Sequence, residues 1–195
     1  MNEDIKKVTE LRARTGVGLM AAKKAFEEAG GDLDQAIDAL RKAGAAKAAK
    51  KAERETHEGL VESYIHAGGK VGVLVVLNCE TDFVARNDSF KELAKDIAMH
   101  VAASSPEYLT VEEVPASVLE KEKEIYKELL RKEGKPEEML DKICEGKVSK
   151  FYEEKVLLKQ TFIKDEDTTI EELIQGKIAV LGENITLAKF ARFSL

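Results

Sequence analysis

The spacing of apolar residues changes partway along this chain, and one kind of regular element cannot satisfy both halves. Before residue 44 they recur at helical intervals in three short blocks: Ile5, Val8 and Leu11; Leu19, Ala22, Phe26 and Ala29; Leu33, Ala36, Ile37 and Leu40. Thr15-Gly16-Val17-Gly18 separates the first two blocks. Gly30-Gly31-Asp32 supplies a glycine stop and then an N-cap for the third. Beyond Thr56 the period drops to two, which predicts strands. The fold class is therefore α+β: an N-terminal three-helix bundle, then a core with a small antiparallel sheet packed by helices. A bundle of roughly 45 residues is marginal alone and suits a docking module attached to something larger.

Between the two regimes, residues 41–54 form an Ala/Lys tract with no apolar side chain larger than alanine. It reads as a linker, with a solvated tether and a contact for RNA or an acidic partner both open. We divide the chain into residues 1–55, the bundle with this basic tract, and residues 56–195, the core. Within the core, strands over 60–66 and 71–78 flank the hairpin loop Ala67-Gly68-Gly69-Lys70. The second strand is apolar on both faces, as a central strand covered on two sides would be. A helix over 89–103 carries Phe90, Leu93, Ala94, Ile97, Ala98 and Val101 on one stripe. Residues 120–144 read as a mixed-charge helix broken at Gly134-Lys135-Pro136, and 148–158 as a further helix. Strands are expected over 178–181 and, after Gly182-Glu183-Asn184, over 185–195. So small a sheet leaves an open face and edges needing cover, which makes self-association a natural expectation.

A net charge of −6 argues against a chain whose main business is gripping phosphate backbones, so no direct nucleic-acid partner is expected. Cys79 and Cys144 stand 65 positions apart with no metal-ligand spacing, which fits a reducing compartment and no metal or cofactor. The opening Met1-Asn2-Glu3-Asp4-Ile5 lacks a leader's basic and apolar regions, and the longest apolar run, residues 71–77, is too short to span a bilayer. A cytoplasmic location without membrane contact is the expectation. Gly16-Val17-Gly18-Leu19-Met20-Ala21 matches GxGxxA formally, but a dinucleotide fingerprint follows a strand and this one follows helical periodicity. Of the three histidines, His66 beside the hairpin loop reads as an exposed contact and His100 as a satisfied packing residue.

One segment stands apart: Cys79-Glu80-Thr81-Asp82-Phe83-Val84-Ala85-Arg86-Asn87-Asp88 joins the central strand to the long helix. On the residues alone, Thr81 or Asp82 caps a helix whose first turn holds Phe83 as a staple-like core contact. The competing reading makes Phe83 an exposed wedge.

The segments Leu11-Arg12-Ala13-Arg14-Thr15-Gly16-Val17-Gly18-Leu19-Met20, Gly31-Asp32-Leu33-Asp34-Gln35-Ala36-Ile37 and Asn78-Cys79-Glu80-Thr81-Asp82-Phe83-Val84-Ala85-Arg86 resemble signatures of the translation elongation factor Ts family. Ile97-Ala98-Met99-His100-Val101-Ala102-Ala103 and Gly182-Glu183-Asn184-Ile185 are similar too, and the order is kept along the whole chain. The resemblance implies a guanine-nucleotide exchange factor for elongation factor Tu, not an enzyme in the bond-making sense, with a ubiquitin-associated-like N-terminal module. It implies that Thr81, Asp82, Phe83 and Val84 dislocate the partner's magnesium, Phe83 acting as the wedge. It further implies that Arg12, Leu19 and Met20 dock on the partner's GTPase domain and that His66 reaches another of its domains. Longer family members carry two related core halves, whereas this chain shows one hairpin-helix unit and no distinct coiled-coil insertion. Short members are expected to be homodimers. Two readings of other classes compete: a helical adaptor that leaves nucleotides alone, and an enzyme using Cys79.

Overall fold

The computed structural model describes residues 3–195; Met1 and Asn2 of the opening segment lie outside the described residues. Helices α1 (Glu3–Thr15), α2 (Leu19–Glu28) and α3 (Leu33–Ala49) form the expected bundle. They close over Val8, Leu11, Ala22, Ala25, Phe26, Ala36 and Ile37. Gly31 N–H donates back to the Phe26 carbonyl at 2.9 Å to end α2, and the Asp32 carboxylate accepts the Gln35 N–H at 2.9 Å to start α3. The GxGxxA match is a helix-to-helix turn between α1 and α2, not a strand-to-helix one, so the dinucleotide fingerprint lacks its context.

The Ala/Lys tract differs from a tether. Its first part is the second half of α3, which packs on a core helix and buries Gly44 and Ala48. Small residues on one face let that helix approach closely, while Lys42, Lys47 and Lys50 stay in water.

Strands β1 (Glu58–Ile65) and β2 (Val71–Cys79) form the predicted hairpin, and β5 (Ile185–Ser194) adds to β2, giving a three-stranded antiparallel sheet in the order β1-β2-β5. One face carries Val73, Val75, Leu77 and Cys79 into the main core against α5 (Asp88–Ser104), which buries Phe90, Leu93, Ala94, Ile97 and Val101. The other face of β2 is not covered in this chain: Leu74 is exposed there, with Val61 and Ile65 of β1 and Phe193 of β5. Coverage on both sides, expected from the apolar pattern of β2, holds for one face of the single chain.

Two further expectations are corrected. Residues 178–181 are not a strand but the last turn of α8 (Ile170–Leu181). Thr169 and Glu172 form a reciprocal capping box, and Ile170, Ile174 and Ile178 recur every four residues on its buried face, so a helical signal begins well before the apolar run. Residues 137–155 form one uninterrupted helix, α7 (Glu137–Lys155), which folds back on α6 (Ala116–Lys132) as an antiparallel hairpin. A distinct helical hairpin is thus present where none was expected from the sequence. Its shared seam is short, Tyr126, Leu130, Leu140, Ile143 and Cys144, and ion pairs Lys127–Asp141 at 2.7 Å and Arg131–Glu137 flank it. A minor hairpin of β3 (Thr161–Phe162) and β4 (Asp165–Thr169) leads into α8.

Candidate functional site

The chain leaves β2 at Cys79, whose buried thiol donates to the Thr81 carbonyl at 3.1 Å. Burial first, and the Glu183 carboxylate second, push that thiol up to about 11, so its reactive thiolate is scarce at neutral pH. Glu80 comes next: its carboxylate accepts the Asn184 N–H at 2.6 Å and pairs with Arg54 at 3.4 Å. The Asn184 N–H is the main reason its carboxyl sits below the usual range, with Arg54 adding to it against the cost of burial.

Thr81 then caps the single-turn helix α4 (Asp82–Ala85), its hydroxyl oxygen accepting the Val84 N–H at 3.4 Å. Of the two candidate caps, Thr81 is the one used. Asp82 instead pairs with Arg86 at 3.0 Å across the turn, an exposed contact worth little energy. Val84 packs against the main core, which anchors one side of the turn. Phe83 points the other way and is 81% exposed. The staple-like core contact is therefore ruled out: the turn is held by Val84 and Thr81, and the aromatic ring is left in water.

The remaining predicted residues fall in three other places. Leu19 and Met20 open α2, and Met20 is 76% exposed. Together with Ile5, Val8 and Phe26 they line a groove of about 910 Å³ between α1 and α2. Arg12 is exposed on α1 but does not line that groove. His66 is exposed at the β1–β2 turn, where its N–H donates to the Val71 carbonyl at 2.9 Å and its Nδ1 meets the Tyr64 hydroxyl at 3.2 Å. Because β2 runs from Val71 to Cys79, His66 and Thr81 lie at opposite ends of one strand, about 26 Å apart at the usual rise per residue. The structure unites Thr81, Asp82, Phe83 and Val84, unites Leu19 with Met20, and leaves Arg12 and His66 separate.

A family model described as Elongation factor TS matches residues 22–195. The chain belongs to the elongation factor Ts family. It is 57% identical over 188 residues to the elongation factor Ts of Geobacter sulfurreducens, an alignment covering 96% of this chain and 87% of that one. Against the elongation factor Ts of Fervidobacterium nodosum it is also 57% identical over 188 residues, covering 96% and 95% of the two chains. With that of Thermosipho melanesiensis it shares 56% over 190 residues, covering 97% of each.

In this member of the elongation factor Ts family, one contributor to the exposed turn escaped the sequence reading. Glu183 accepts both the Thr81 N–H, at 3.0 Å, and the Thr81 hydroxyl, at 2.6 Å. Gly182-Glu183-Asn184 reads in the sequence as a break between two strands, and the first of these is the end of α8. The pairing of Glu183 with a residue 102 positions away had no local signal.

Proposed function

We propose that this translation elongation factor is a guanine-nucleotide exchange factor that binds elongation factor Tu, dislocates its magnesium and promotes GDP release in the cytoplasm. The observation that carries this reading is Phe83, a large apolar ring held in water by a turn that Thr81 caps and Val84 anchors on the core. An exposed aromatic on a preorganised turn is what a wedge requires, since little ordering remains to be done on binding.

Magnesium bridges the phosphates of a bound nucleotide and neutralises their charge, so moving its ligands loosens the phosphate end. Such a factor uses no catalytic acid or base. It weakens nucleotide binding by the same factor by which it prefers the nucleotide-free partner. Burying a Phe side chain supplies roughly 1.5 to 3 kcal/mol, about 10- to 150-fold. The wedge therefore needs help from a wider interface. On this reading Thr81, Asp82, Phe83 and Val84 act at the magnesium, the ubiquitin-associated-like module docks through Arg12, Leu19 and Met20, and His66 touches a separate domain of the partner. The position of exposed His66 at the opposite end of β2 from Thr81 supports a partner that is gripped at more than one place.

The functional unit on this reading is a homodimer, supported by the uncovered sheet face of Val61, Ile65, Leu74 and Phe193, the last 68% exposed. The test of exchange is release of a fluorescent GDP from elongation factor Tu at millimolar magnesium. Wild type accelerates it and Phe83→Ala blunts the acceleration; an equally active Phe83→Ala removes the wedge.

A further inference from the structure

Glu183 spends both carboxylate oxygens on one residue. Its Oε2 accepts the Thr81 backbone N–H at 3.0 Å and its Oε1 accepts the Thr81 hydroxyl proton at 2.6 Å. With that proton committed, the hydroxyl can only present a lone pair to the Val84 N–H, which is the bond that caps α4. The carboxylate thus sets the rotor that sets the cap.

Glu183 is itself rigidly placed. Gly182 ends α8 in the left-handed region, φ +81°, which a residue with a Cβ adopts only with strain, and its carbonyl accepts from the Lys51 ammonium. Asn184 is 3% exposed; its N–H goes to Glu80 and its side-chain amide donates to the Arg54 carbonyl at 2.8 Å. The two adjacent segments therefore exchange carboxylates: Glu80 takes the backbone of Asn184, while Glu183 takes the backbone of Thr81.

We propose that Glu183 is a positioning residue for exchange, holding the Thr81 cap so that Phe83 leaves the surface at one fixed angle. This rests on the wedge reading of Phe83. A turn freed from Glu183 still carries the ring, but must be ordered during binding, and that cost falls on the wedge contact rather than on docking by the N-terminal module.

The test uses the full chain with Glu183→Ala and the near-isosteric Glu183→Gln, each alone and combined with Phe83→Ala. Amide hydrogen exchange at Thr81 and Val84 is read in the free protein, and fluorescent GDP release from elongation factor Tu is read across factor concentrations. Faster exchange at both amides is expected, together with an about tenfold lower maximal release rate for Glu183→Ala. The half-saturating concentration and the thermal unfolding midpoint of Glu183→Gln stay near wild type. In the Phe83→Ala background the Glu183 substitutions add less than about twofold, because the two residues act as one unit. A merely structural role would lower activity equally in both backgrounds, and that result overturns the proposal. So does an unchanged maximal rate in Glu183→Ala when Phe83→Ala is impaired. If Phe83→Ala itself is fully active, the wedge reading fails first and the assignment of Glu183 to exchange falls with it.

Discussion

His100 shows at the residue scale how a buried polar group can be satisfied without function. It is fully buried on α5; the Gln160 side chain donates to the Glu154 carbonyl at 2.7 Å, which turns its oxygen toward His100 Nε2 at 2.9 Å. The ring is then an Nε2–H donor whose Nδ1 accepts the Ile163 N–H at 3.4 Å, a neutral tautomer. Burial lowers its pKa, with the Gln160 contact opposing. The unfolded chain therefore binds a proton below about pH 6.5 that the folded chain refuses, so stability falls as pH drops through that value. Urea unfolding is expected to show the wild type less stable at pH 5.5 than at pH 7.5. The loss shrinks in His100→Asn; an equal loss in the variant would assign it to other groups. Glu80 does not confuse this window: its pKa is lowered, so its contribution is complete above the ordinary carboxylate value and lost only in stronger acid. Cys79 makes the matching chemical prediction. With its thiol raised to about 11 and buried, a mild thiol reagent at neutral pH labels it only upon unfolding. Fast native labelling would revive the enzyme reading.

Among the elements, α8 marks the limit of what local periodicity conveys. Ile178-Ala179-Val180-Leu181 is apolar at every position and by itself fits a strand as well as a helix. The decision lies upstream in the Thr169–Glu172 box, so Thr169→Ala is expected to cost about 1 kcal/mol of stability in chemical denaturation. A change below a few tenths would show that packing alone holds α8. The helical hairpin was hidden for a related reason: α6 and α7 are mostly polar outside, and their apolar seam is assembled from two helices across Gly134-Lys135-Pro136. By contrast, α1, α2, α3, β1, β2 and α5 were legible because their buried residues and caps are neighbours in sequence. The exposure of Phe83 was not: capping residues beside an aromatic look alike whether the ring turns inward or outward, and only Val84 filling the core side decides it.

Taken whole, the N-terminal bundle and the main core are tied together by α3. Arg41 on α3 donates to the Asp167 carbonyl at 2.8 Å and the Thr168 hydroxyl at 2.6 Å, so the N-terminal module is fastened to the core and not merely tethered. The apolar outer face of the β1-β2-β5 sheet is left uncovered by the single chain. Burying Val61, Ile65, Leu74 and Phe193 against a second copy would contribute roughly 6 kcal/mol or more. Sedimentation is expected to show a dimer that Leu74→Asp converts to monomer while its circular dichroism is kept; a wild-type monomer at micromolar concentration would refute the homodimer.

On the proposed function, this chain opens the nucleotide site of elongation factor Tu with Phe83. Because the ring makes no core contact, Phe83→Ala should move stability by less than about 0.5 kcal/mol. Release of a fluorescent GDP from elongation factor Tu, followed at millimolar magnesium, is accordingly the most direct test. Strong acceleration by wild type is expected, and at least a tenfold weaker one by the equally stable Phe83→Ala. No acceleration by wild type would contradict the proposed function and leave the adaptor reading of the N-terminal module in its place.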